Sequence, residues 1–152
     1  MNIIATTLKG IIESQGLTYL RAVNVKDLNE LVGQYDLSDG VGVYANLPTV
    51  GNITYSQTNN VLMEYGVEVY YLKLSGGTDD TGTQIDVILD NLKPLVDGMI
   101  DQINASSIVA LSSFIDGYEL EAVESINITS EVLSGWKLSF SIPIYRDTFD
   151  CA

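Results

Sequence analysis

Two groups of carboxylates stand close enough in the sequence to do chemistry together. Asp79 and Asp80 are adjacent in a glycine-rich stretch, and Glu119, Glu121 and Glu124 follow one another along a predicted strand. Paired carboxylates can divide acid and base roles between them, or supply oxygen ligands to Mg²⁺ or Ca²⁺. Neither group has the ligand spacing of an EF-hand loop. We therefore favour the alternative, a solvated loop for the first group and an exposed strand face for the second.

Other catalytic chemistry lacks its usual residues. The sequence contains no histidine, so a Ser-His-Asp or Cys-His relay is excluded and zinc loses its commonest ligand. The one cysteine, Cys151, has no partner for a disulfide within the chain. The pair Gly76-Gly77 matches neither a P-loop nor a dinucleotide-binding motif. These observations predict a protein that is not an enzyme and that needs no cofactor or metal.

Tyrosine is frequent, with nine residues against three phenylalanines and one tryptophan. Tyrosine is favoured at protein–protein interfaces, because its ring can be buried while its hydroxyl keeps a hydrogen bond. Tyr65, Tyr70 and Tyr71, all on one long predicted strand, are the candidate contacts with another subunit. The alternative is a half-buried sheet face inside a single chain, and composition does not decide between the two.

Composition narrows the class of protein. The chain has 152 residues, an apolar share of 46% and a net charge of −13, which is typical of one acidic globular domain spanning residues 1–152. We expect no membrane span and no secretory signal. Such acidity disfavours a reader of nucleic acid, since phosphate would be repelled. It could serve solubility, or a surface that stays near DNA without binding it.

Hydrophobic periodicity divides the chain into helices and strands. Apolar residues recur every three or four positions in residues 2–14 and 84–104, which predicts two helices. Strands are predicted at residues 17–25, 40–47, 51–57, 61–74, 118–131 and 134–145. Pro48 separates the second and third strands, and Leu133-Ser134-Gly135 is predicted to turn the chain into the last one.

Two long predicted strands, residues 61–74 and 134–145, each present one continuous apolar face. Alternate residues share a face in a strand, which groups Val61, Met63, Tyr65, Val67, Val69 and Tyr71 in one strand and Trp136, Leu138, Phe140, Ile142 and Ile144 in the other. Pro94 predicts a kink in the long helix, or two helices that meet near Lys93. The pattern predicts an α+β fold, with a mixed or mainly antiparallel sheet, a long helix packed on one face and an N-terminal helix.

This order of elements resembles the tail-terminator and head–tail joining (neck, connector) proteins of tailed bacteriophages. That family has an N-terminal helix, a long β-hairpin, a helix across the sheet and a closing pair of strands. The resemblance rests on residues 2–14, 40–74, 84–104 and 118–145. The stretch Leu-Ser-Gly-Trp-Lys-Leu-Ser-Phe at residues 133–140 is similar to the closing strand of the family.

The resemblance implies a structural protein of the virion, made in the host cytoplasm. It would form a ring, a hexamer or a multiple of six, stacked on neighbouring tail tube or connector proteins and without contact to a membrane. Genomic DNA would pass through without specific binding, past an acidic face carrying Glu119, Glu121 and Glu124. The loop with Asp79 and Asp80 would become ordered at a subunit interface. The alternative function is a small acidic module that masks a basic partner.

Overall fold

The described part of the chain forms two helices and one sheet. In the computed structural model, the described residues are 3–23, 39–55, 61–74, 82–110, 115, 117–128 and 131–146. The elements, in chain order, are α1 (Ile3–Ser14), β1 (Thr18–Ala22), β2 (Val41–Tyr55), β3 (Val61–Leu74), α2 (Gly82–Asn104), β4 (Tyr118–Ile128) and β5 (Glu131–Tyr145). The predicted α+β class is confirmed.

The sheet is mixed, with five strands in the order β1-β2-β3-β5-β4. β1 runs parallel to β2, whereas the β2–β3, β3–β5 and β5–β4 pairs are antiparallel. β3 and β5 both lie inside the sheet, and thirteen residue pairs align them from Leu62 with Tyr145 to Leu74 with Leu133. β4 lies at one edge.

α1 forms and ends as its sequence predicts. Ile4, Leu8, Ile11 and Ile12 repeat at helical spacing and are all buried. Gly16 follows the helix with a φ of 80°, a conformation that glycine adopts without strain. Its N–H donates to Glu13 O at 3.1 Å, and Leu17 N–H donates to Ile12 O at 3.3 Å. These two bonds are the Schellman pattern, which satisfies the last carbonyls of the helix.

The hairpin of β2 and β3 is longer than predicted on its first side. Pro48 was expected to separate two strands, but β2 is one strand from Val41 to Tyr55. Its pairing with β3 shifts register between Ala45 and Thr49 and again between Val50 and Ile53. A proline without an N–H is tolerated in a strand at such irregularities, so the strand passes Pro48 without ending.

α2 runs as one helix through Pro94. The alternative of two helices meeting near Lys93 is therefore wrong. The proline ring leaves the carbonyl of Asp90 without its usual helical donor. The carbonyl of the residue before it, Leu89, accepts a hydrogen bond of 2.9 Å from Trp136 Nε1 on β5. This bond fixes the helix against the sheet beside the proline.

Both helices pack on the same face of the sheet. The buried core joins the apolar sides of α1 and α2 to the predicted faces of β3 and β5, including Val67, Val69, Leu138, Phe140 and Ile142. Period-two alternation therefore assigned both central strands correctly. A second, smaller buried cluster lies on the opposite side of the strands: Leu20, Ala22, Val41, Val43, Leu72 and Leu133, with Tyr70 packed against it.

β5 begins earlier than predicted. Leu133, Ser134 and Gly135 were expected to form a turn, yet all three lie within the strand and pair with β3. The glycine was the basis for predicting a turn, but the structure shows that Gly135 is required for a steric reason. A Cβ at this position would run into the Tyr71 carbonyl on the neighbouring strand. Glycine in a strand often marks such a close approach of two backbones.

A partly buried glutamine connects both helices to the sheet. Gln15, just after α1, donates from Nε2 to Leu95 O on α2 at 2.8 Å. Its Oε1 accepts a hydrogen bond of 2.8 Å from the Tyr71 hydroxyl on β3. Tyr71 is fully buried, so this bond satisfies a phenol that has lost contact with water.

Tyr71 gives the protein a predictable response to alkaline pH. Burial raises the pKa of its phenol above the ordinary 10.0. The unfolded chain therefore ionises first, and the stability contributed by the protonated phenol is present below about pH 10 and lost as the pH rises above it. At about pH 8, Tyr71→Phe should cost about 1 kcal/mol through the lost hydrogen bond.

Between about pH 10 and the raised pKa, the free energy of unfolding of the wild type should fall by about 1.4 kcal/mol per pH unit because of Tyr71. The Tyr71→Phe variant has no phenol at this site and should not show this fall. Urea unfolding at about pH 8 and about pH 11 checks this. The difference between the two proteins should shrink or change sign at the higher pH. An unchanged difference would mean that the phenol is accessible to hydroxide in the native state. Tyr19, whose pKa burial also raises, leaves a residual slope in both proteins.

Candidate functional site

The face of β3, β5 and β4 that points away from the helices is acidic. Four carboxylates lie on it: Glu64, Glu68, Glu119 and Glu121. We call this set the acidic face. The alternation that buries Tyr65, Val67 and Val69 under the helices requires the glutamates between them to point the other way.

Strand register places the carboxylates in rows across the sheet. Ser139 on β5 pairs with Glu68 on one side and with Glu119 on the other. One step along, Lys137 pairs with Tyr70 and with Glu121. Directly opposed residues in antiparallel strands share a face and lie about 5 Å apart at Cβ. The rows therefore form one continuous surface over three strands.

Among the residues that the structure describes, this surface carries one cation, Lys137, beside its four carboxylates. Lys137 Nζ lies 3.7 Å from Glu68 Oε1, and both side chains are about one-third exposed. A pair this open to solvent contributes at most about 1 kcal/mol. It offsets one of the negative charges locally and leaves the face acidic. Anions are repelled from such a surface over about 10 Å at 0.1 M salt, and cations are attracted.

The structure describes only some of the five carboxylates that the sequence analysis selected. Glu119 and Glu121 are exposed on β4, which confirms the expected strand face for these two. Glu124 lies in β4, but its side chain is outside the described residues. Asp79 and Asp80 lie outside the described residues altogether. Within the described residues, no three acidic or cysteine side chains come together as a group able to hold a metal ion.

The candidate tyrosines need a correction. Tyr71 is completely buried and Tyr65 is 6% exposed, both in the core of their own chain beneath the helices. A side chain covered by its own fold cannot contact a neighbouring subunit, so these two are removed from the candidate interface. Tyr70 has the opposite parity and is partly exposed beside the acidic face, packed against the smaller buried cluster.

A second surface was not predicted. Three apolar side chains near the end of β2 are open to solvent: Val50 at 42%, Ile53 at 52% and Tyr55 at 76%. We call these three residues the β2 strip. A signal for it was present in the sequence, because residues 41–63 contain no charged residue at all in a chain with twenty acidic and seven basic residues. The tyrosine candidates were all taken from β3, so the sequence analysis missed this strip.

The chain was compared with known proteins. No protein-family model and no curated protein matches it. None of the helices in the described residues has the length and apolar character needed to cross a membrane. The features of the chain that bear on its function are the acidic face, the β2 strip and the arrangement of the elements.

Proposed function

We propose that this protein is a structural subunit that forms a ring in the tail, or at the head–tail junction, of a tailed bacteriophage. The order of elements supports the proposal: α1, the long β2–β3 hairpin, α2 across the sheet and the closing β4–β5 pair. This is the order of the tail-terminator and neck proteins that the sequence resembles. The protein would be made in the host cytoplasm and act in the virion.

The observation that carries the proposal is the contrast between the two faces of the sheet. Both helices cover one face, while the acidic face on the other side keeps Glu119 and Glu121 exposed. Turned toward a central channel, these carboxylates would repel the phosphates of passing DNA and prevent it from binding. Six or more copies would repeat this charge around the channel. No chemical step is required of the protein.

The proposal predicts self-association into a closed assembly. Light scattering coupled to size exclusion measures the mass directly, against 16.5 kDa for one chain. We expect a species of about six chains, or a multiple, either alone or after mixing with the adjoining tube or connector protein, because closed rings form through repeated head-to-tail contacts. A chain that stays monomeric at high concentration and docks onto no such partner would contradict the proposal.

A second function is favoured by the same acidic face. Four carboxylates on one flat surface could mask a basic protein, since opposite charges steer association. The two functions differ in their response to salt and in stoichiometry. A one-to-one complex between a monomer and a lysine-rich peptide, weakened strongly by added NaCl, would favour masking over ring formation.

A further inference from the structure

The β2 strip lies on an open edge of the sheet. β1 pairs with β2 only from Val41 to Ala45. From Thr49 to Tyr55, β2 pairs with β3 on one side, and among the described residues no strand pairs with it on the other. Open edges present unpaired backbone groups, and proteins usually protect them with charged side chains.

Within the described part of the chain, this edge has no such protection. Residues 41–63 are uncharged, so neither β2 nor the start of β3 carries a charge before Glu64. Three large apolar side chains are instead exposed there. The opposite edge of the sheet, β4, carries the exposed Glu119 and Glu121. The β4 edge is thus acidic, whereas the part of β2 beyond β1, from Thr49 to Tyr55, is uncharged and exposes apolar side chains. Proteins often bind one another through exposed apolar patches and through open sheet edges.

We propose that the β2 strip is the surface through which one copy of this chain docks onto a second copy. This rests on the proposed function and names the surface that the ring would use. The net charge of the chain indicates which partner would bind at the β2 strip. Each copy has a net charge of −13, so two copies repel each other wherever acidic surfaces meet. The β2 strip is a place where an equally acidic partner can approach without placing carboxylates in contact.

A cationic partner has the opposite preference. It gains most on the acidic face, around Glu68, Glu119 and Glu121, and gains no electrostatic attraction from uncharged side chains at the strip. Docking of a second copy through apolar contacts also has a distinct salt response. Added NaCl screens the repulsion between the two acidic chains and leaves apolar contacts intact, so self-association should strengthen with salt.

The experiment compares variants that add the same charge at different places. Ile53→Asp puts a carboxylate at the centre of the strip, where docking would remove it from water. Val87→Asp puts one on α2, at a position that is 54% exposed, and is the matched control. Tyr55→Ser removes apolar area without adding charge. Circular dichroism checks that all three variants are folded, and light scattering measures mass against protein and NaCl concentration.

We expect I53D and Y55S to weaken self-association at least about 10-fold, and V87D to assemble like the wild type. Wild-type association should be stronger at about 0.5 M NaCl than at about 0.05 M. If I53D and Y55S assemble as well as the wild type, the strip is not the docking surface, although the proposed ring function survives. If the wild type stays monomeric at every salt concentration and with its neighbouring ring proteins, the ring function itself fails. Association that disappears at high salt would show that ionic contacts hold the copies together and would overturn the inference.

Discussion

Alanine at position 135 should destabilise the protein by about 3 kcal/mol or more, or prevent folding. Gly135 pairs with Leu72 on β3 and with Val123 on β4, so it lies in the middle of the sheet. A methyl group there would collide with the Tyr71 carbonyl and come within 3.0 Å of Leu72 Cα. These are backbone atoms of the central strand, which cannot move aside as a flexible side chain can.

The matched control is the same substitution in open space. A Cβ added at Gly10, in α1, meets no atom within 4 Å. Alanine also has a higher helix propensity than glycine, so Gly10→Ala should stabilise the protein by about 0.5–1 kcal/mol. Urea unfolding of both variants gives the comparison. A Gly135→Ala variant that unfolds at the wild-type midpoint would mean that β3 and β5 lie farther apart than the structure places them.

Removing the indole of Trp136 should have the second-largest effect. We expect Trp136→Ala to lower the free energy of unfolding by about 3–5 kcal/mol. The side chain packs against the core beneath α2. Its Nε1 also donates to the Leu89 carbonyl at 2.9 Å. The alanine variant therefore leaves a cavity between helix and sheet and removes a hydrogen bond that joins them.

Trp136→Phe helps to separate these two contributions, because it keeps an aromatic ring, although a smaller one, and removes the donor. Its expected cost is smaller, with about 1 kcal/mol from the hydrogen bond. Both free energies of unfolding come from denaturant titration. A loss below about 1 kcal/mol for Trp136→Ala would contradict the packing of α2 on β5.

Much of the fold follows from local pattern. Apolar residues at helical spacing predicted α1 to within one residue, and Gly16 supplied its C-terminal cap. Strict alternation identified the buried faces of β3 and β5, because one side of a sheet must face a core along its whole length. These features depend on residues close together in the sequence.

The errors share a physical origin in contacts between distant residues. Gly135 was interpreted as a turn, since a close approach to Tyr71 on another strand leaves no local signal. Pro48 was interpreted as a strand end, although a register shift against β3 lets β2 continue. Pro94 lies in an unbroken helix, whose packing against β5 includes the bond from Trp136. For Gly135 and Pro48, the neighbouring strand β3 explains the difference from the prediction.

The charged residues of β4 predicted an exposed surface better than the tyrosines did. The alternating glutamates of β4 indicated an exposed strand face, and the structure confirms it for Glu119 and Glu121. Tyrosine content indicated an interface but not its location. Tyr71 is held inside by Gln15 of a different element, while Tyr55 at the open edge is 76% exposed. The uncharged run of residues 41–63 is the sequence signal for the exposed β2 strip, where we propose that a second copy docks.

We propose that this protein works by assembling with copies of itself rather than by converting a substrate. The decisive experiment is electron microscopy of the purified chain, alone and with the tube or connector protein that the proposal places beside it. We expect closed rings of about six subunits, or a multiple, around a central opening. Particles of single-chain size that join no ring under either condition would contradict the proposal.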